Sequence, residues 1–201
     1  TVELPFTLEL GKHWEIWQAY RELHSNALDE GGSTTYGTPN PRADWTTITV
    51  EGDAIRQAYN QRDAIFLSTK PLYEDDSIVV HPGLSSHGYY RGVRVCTLTH
   101  PSLYTYNLKT TLRGITEDRT LTETSDLGWY VRKFIEKCVC PEFLRAVMLA
   151  PDTRYENHLP AYASTGTEAF FETYAKVRQE GNATLLASWA NRLYLDVRKT
   201  L

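Results

Sequence analysis

Arg21-Glu22-Leu23-His24-Ser25-Asn26-Ala27-Leu28-Asp29-Glu30 is the stretch on which the reading of this chain turns. It closes a helical run from about Lys12 to Glu30, in which Trp14, Trp17, Ala19, Leu23, Ala27 and Leu28 recur near helical spacing before Gly31-Gly32-Ser33 ends it. Glu22 and Asn26 stand one turn apart and so share a face. Asp29, three residues on, continues nearly the same stripe. A carboxylate in that position can orient and deprotonate a water, and an amide oxygen one turn away can ligate Mg²⁺, which prefers hard oxygen ligands. The same stripe also reads as the solvated face of an amphipathic helix, although Asn26 is a poor helix former with no capping duty there.

Around this helix lies a chain of 201 residues, 41% hydrophobic and 23% charged, the size and balance of one globular domain (1–201) with a core of its own. A formal charge of −4 argues against general nucleic-acid binding by counterion release. Cys96, Cys138 and Cys140 are odd in number and lack four-ligand zinc spacing, which points to a reducing, cytoplasmic setting. No apolar run approaches the roughly 20 residues that cross a bilayer, and no secretory signal pattern opens the sequence. The six histidines form no metal-binding spacing, and neither a Walker loop nor a nucleophile elbow occurs. Five Trp and thirteen Tyr are the one compositional excess, suited to cores and interfaces.

The remaining pattern predicts an α+β sandwich: a sheet-rich part over 1–122 and a helical layer over 123–201. Thr7–Leu10 and the β-branched run Thr46–Val50 read as strands, Ala54–Arg62 as a short helix, and Ile65–Leu67 as a buried run. A turn-rich region with Pro71, Pro82, Gly83 and Gly88 leads to strands at Tyr89–Leu98 and Leu103–Leu108. Thr124 or Ser125 caps a helix carrying Leu127, Val131, Phe134, Ile135 and Cys138, and Pro141 opens another. Glu168–Gln179 and Ala183–Val197 read as helices parted at Gly181-Asn182.

The Glu-x-x-x-Asn-x-x-Asp string resembles the N-box helix of the GHKL, or Bergerat-fold, ATPases. That resemblance implies a two-layer sandwich with a mixed or mainly antiparallel sheet of four to six strands, covered by helices that include 12–30. It implies Glu22 as general base, Asn26 as the Mg²⁺ ligand and Asp29 beside the nucleotide. The family's Asp-x-Gly-x-Gly motif would fall on Val50-Glu51-Gly52-Asp53-Ala54, where Val50 replaces the adenine-binding Asp and Ala54 the second glycine; Glu51 or Asp53 takes that contact after a shift of register. His81–Gly92 would be the lid over the phosphates, with Gly88 in its backbone and Arg91 or Arg94 on phosphate, and Thr120 would be the late Thr that touches nucleotide. The turn 116–120 equally reads as an ion-paired turn. The chain as a whole is similar to small GHKL-type proteins encoded by tailed bacteriophages.

The resulting expectation is a cytoplasmic ATP-binding protein, in the host cytoplasm if phage-encoded, acting as a slow Mg²⁺-dependent ATPase or a nucleotide-dependent switch. The altered second motif keeps two rivals open: a catalytically inactive relative that binds a host or partner protein through its Trp- and Tyr-rich surface, and an enzyme acting on another nucleotide or nucleoside.

Overall fold

The structure is a computed structural model, and it describes residues 12–110, 113–116, 119–159 and 166–181. The strand expected at Thr7–Leu10, the helix expected at Ala183–Val197, and Glu117 and Asp118 of the expected turn lie outside the described residues. The chain divides into two compact units, Thr1–Leu67 and Ser68–Leu201.

In the first unit, α1 spans Ile16–Asp29 and α2 spans Asp53–Asn60. Glu15 caps α1 through a reciprocal box with Gln18, whose side chain accepts from the Glu15 N–H at 2.9 Å. At the other end the Gly32 N–H reaches the Ala27 carbonyl (2.7 Å) and the Gly31 N–H that of Leu28 (2.9 Å), a Schellman closure. Gly31 supplies the left-handed turn at φ 73°, which a side chain would strain. The helices enclose a small core of Tyr20, Ala58 and Ile65, against which Trp17, Ile55, Tyr59 and Phe66 pack.

Between them, Thr46–Val50 corrects the sequence reading. It is irregular and exposed, and pairs with no described strand. A β-branched run favours a strand only where a neighbour offers hydrogen bonds and a surface to cover. Gly52 is the N-cap of α2 and Asp53 its first residue.

The second unit is an α+β layer pair. Its five-stranded sheet has the order β1-β2-β5-β3-β4, with β1 Tyr73–Glu74, β2 Ile78–His81, β3 Ser85–Tyr90, β4 Val93–Ser102 and β5 Thr105–Leu108. Every pairing is antiparallel except β3 with β5. The helices are α3 Ser125–Lys137, α4 Pro141–Met148 and α5 Glu168–Gln179. Pro141 opens α4, and Thr167 caps α5 by accepting from the Phe170 N–H at 3.1 Å.

Leu127, Val131 and Ile135 of α3, Phe143, Leu144 and Val147 of α4, and Phe170, Tyr174 and Val177 of α5 are buried with Ile78, Val80, Leu98, Tyr106 and Leu108 of the sheet. Among the described residues no helix is long and apolar enough to cross a membrane.

Two further readings are corrected. β2 and β3 occupy the region expected to be turns: β2 is buried along its length and so shows no alternation in hydropathy, and β3 carries the serines and glycine of a turn. The single strand expected over Tyr89–Leu98 is two, folded at Arg91 (φ 50°) and Gly92 (φ 82°), both left-handed as a two-residue hairpin turn requires. Arginine is an unusual occupant of that position and hides the turn. Replacing Arg91 with Asn relieves part of the left-handed cost and is expected to raise stability by about 0.5–1 kcal/mol in chemical denaturation. A fall in stability would show that Arg91, which lies over the Tyr90 ring at 5.1 Å, matters more to the turn than its backbone strain.

Candidate functional site

Helix α1 carries the residues singled out by sequence, and its orientation is set by which arc is buried. Tyr20, Arg21 and Ser25 are buried, His24 is half-buried, and Tyr20 and His24 meet the Phe66 ring with centroids 6.2 and 4.4 Å apart. At about 100° per residue, Glu22, Asn26 and Asp29 lie together on a stripe centred roughly 140° around the helix from that arc. The three thus share one face, turned away from that arc, although the Glu22 side chain is only 12% exposed. Asn26 and Asp29 are exposed.

Glu22 is engaged locally. Its Oε1 accepts from Arg21 Nε at 3.2 Å, and the guanidinium also lies 5.1 Å from the Trp17 ring centroid. Arg21 is 0% exposed. A buried guanidinium is costly without a counter-charge, so Glu22 has a structural duty that the sequence reading did not assign. The missed signal was Arg21 falling on the same arc as Tyr20, His24 and Ser25. A hydropathy reading turns any arginine outward.

The other expected contacts are distributed as follows. Glu51, Gly52 and Asp53 are exposed at the start of α2, where Asp53 Oδ1 accepts from Arg56 at 2.6 Å. Gly88 corrects the lid reading: it is buried inside β3, and a Cβ there would stand 2.5 Å from Leu127 Cδ2 and 2.8 Å from Cys96 Sγ. Its glycine identity follows from helix-on-sheet packing. Arg91 is exposed on the β3–β4 turn, and its N–H donates to the Leu108 carbonyl at 2.8 Å. Thr120 is half-buried and closes a small loop: its N–H donates to Thr116 Oγ1 at 3.1 Å, and its carbonyl accepts from the Thr116 N–H at 3.0 Å. Thus Glu22, Asn26 and Asp29 are brought together, as are the neighbours Glu51–Asp53, whereas Gly88, Arg91 and Thr120 serve the strand, turn and loop of the second unit.

A fully buried carboxylate of the second unit was also missed by the sequence reading. Glu156, in a short 3₁₀ turn Tyr155–His158, is fully buried. Its carboxylate accepts from Tyr106 Oη at 2.7 Å and from the Leu103 N–H at 2.9 Å. Burial raises its pKa, opposed by those hydrogen bonds. His87 on β3 shifts the other way, to about 4, chiefly by burial and then by the charge of Arg94.

The chain matches no protein-family model, no curated protein and no solved structure. Among the described residues no group of three or more His, Cys, Asp or Glu is placed to hold a metal ion.

Proposed function

We propose that this chain is a protein-binding module that engages a partner protein through the apolar surface of residues 16–50. One observation carries the reading: Ile16, Leu23, Tyr36, Trp45, Ile48 and Val50 are all exposed, on α1 and on the irregular segment that follows it. Within 33–50 the one backbone–backbone hydrogen bond among the described residues is that from the Trp45 N–H to the Arg42 carbonyl. Apolar side chains and open backbone groups together suit docking: each large side chain buried contributes about 1.5–3 kcal/mol, and several are needed to offset the roughly 4–15 kcal/mol lost in association. The negative net charge favours a protein partner over nucleic acid.

Site-specific photo-cross-linking from position 48 in the native cellular setting tests this. A single discrete adduct that disappears on Trp45→Ser or Val50→Asp supports the module; adducts insensitive to both substitutions overturn it.

The second reading, a Mg²⁺-dependent ATP-binding protein with slow hydrolysis or a nucleotide-controlled switch, is favoured by the shared stripe of Glu22, Asn26 and Asp29, with Asn26 and Asp29 open to solvent. In it Glu22 is the general base and Asn26 holds Mg²⁺, while Asp29, Glu51, Gly52 and Asp53 contribute to the nucleotide site. Thermal unfolding with ATP, GTP or another nucleotide and Mg²⁺ separates the two, since ligand at a hundredfold its Kd adds about 2.7 kcal/mol. The binding-module reading predicts no shift, and predicts that Glu22→Ala costs about 1.5–3 kcal/mol by removing a hydrogen bond to a charged group. A nucleotide-dependent shift that Asn26→Ala abolishes, with Glu22→Ala folding as stably as the parent, establishes the ATPase-type reading instead.

A further inference from the structure

Residues 46–50 read Thr-Thr-Ile-Thr-Val, five β-branched residues in succession. Such side chains are stiff at χ1, favour extended backbone and fit the pleated surface of a sheet. The segment has what a strand needs except a neighbour. Between Asp44 (φ 65°) and Gly52 (φ 133°) no residue has a positive φ, and all five side chains are exposed. Among the described residues no N–H or C=O of 46–51 takes part in a backbone–backbone hydrogen bond. Both edges of the run therefore stand open. Its flanks lead into the Schellman closure of α1 and the N-cap of α2, so ordering it costs less than ordering a free tail.

Alternation along the run divides its side chains. In an extended conformation Thr46, Ile48 and Val50 fall on one face, and Thr47 and Thr49 on the other. Ile48 and Val50, 71% and 48% exposed, then stand about 6.6 Å apart on the same side.

The sheet of this chain is a poor acceptor for such a strand. One of its edges is β1, only two residues long. The other, β4, carries Pro101, breaks register against β3 between the partners of Ser85 and His87, and has its Val95 carbonyl occupied by the Leu121 N–H at 3.1 Å. Short, bulged and proline-bearing edges resist further pairing. This favours an acceptor edge in a different protein over one in a second copy of the chain.

We propose, building on the protein-binding reading of residues 16–50, that residues 46–50 dock by strand addition, extending along the open edge strand of a β-sheet in a different protein. Main-chain hydrogen bonds to that edge supply affinity. Two apolar pockets about 6.6 Å apart, one for Ile48 and one for Val50, supply selectivity. In an added strand alternate residues turn their N–H and C=O groups toward the acceptor, and the residues between them turn theirs outward.

Proline substitution separates this mode from docking by side chains alone. Replacing Thr46, Thr47 or Thr49 removes the same side chain and the same N–H, but Thr47 and Thr49 belong to one edge of the strand and Thr46 to the other. The test uses the full chain with the photo-cross-linker at position 48, in the native cellular setting. Thr47→Pro and Thr49→Pro should act alike and Thr46→Pro oppositely. The edge that faces the acceptor loses about tenfold or more of the adduct, and the other keeps it, because proline is tolerated where the N–H faces solvent. Thermal unfolding of all three variants should match the parent, since the replaced amides hold no backbone–backbone hydrogen bond. Equal effects of the three prolines, with the adduct still lost on Val50→Asp, overturn strand addition and leave the protein-binding reading intact. An adduct made of two copies of this chain overturns the assignment of the acceptor. No adduct from the parent chain overturns both.

Discussion

Replacing Glu156 with Ala is expected to lower the stability of the second unit by about 3–5 kcal/mol. The substitution strips the Tyr106 hydroxyl and the Leu103 N–H of their acceptor, and each buried orphan costs about 1–3 kcal/mol, with the vacated space adding to the loss. Glu156→Gln keeps an acceptor oxygen and should cost less than half as much.

The two variants also carry a signature in pH. Because burial raises the folded-state pKa of Glu156 above its unfolded value, the folded state holds more protons between those two values, and stability falls as pH rises through that window. Acidification from neutrality toward the ordinary carboxyl value near 4.5 therefore stabilises the parent relative to Glu156→Gln. His87 has the opposite sign: its pKa of about 4 makes acid destabilising from about 6.5 downward, and it cancels in the comparison because both chains contain it. Urea titrations of parent and Glu156→Gln across pH 4–7 check this; parallel curves would mean that Glu156 is no more costly to ionise folded than unfolded.

The second large effect is expected at Phe143. It is fully buried, and its ring stands 5.1 Å from Tyr73, 5.0 Å from Tyr104 and 5.5 Å from Phe134, tying α4 to the first strand, the β4–β5 corner and α3. Phe143→Ala should cost about 3–5 kcal/mol, and Phe143→Leu a smaller, measurable fraction, by denaturant midpoint. A Phe143→Ala chain that unfolds at the parental midpoint would contradict the packing of this core.

What could be read in advance follows the range of the forces involved. Helices α3, α4 and α5 are legible because their signals are local: Pro141 at an opening turn and apolar residues at helical spacing, whereas Thr124, at the N-cap position of α3, makes no side-chain capping bond. The α+β class and the expectation of a mixed or mainly antiparallel sheet of four to six strands agree with the five-stranded sheet observed. Strands were less legible because pairing is decided elsewhere in the chain. Thr46–Val50 has strand composition without a strand partner, and Ser85–Tyr90 has a turn-like composition yet is held between β4 and β5. In the candidate site the stripe of Glu22, Asn26 and Asp29 was visible at once, but its direction was not. That direction depends on Arg21, a charged residue that packs inward with Glu22 as its counter-ion. Gly88 was noticed for its glycine and misassigned, since only the overlying Leu127 explains it.

The strand order has a consequence for synthesis. Strand β5, at the centre of the sheet, is the last to leave the ribosome, and the helices that cover the sheet follow it over residues 125–179. A nascent chain thus completes its sheet while the apolar side meant for those helices is still bare. Such an interval invites chaperone capture or clumping with sister chains.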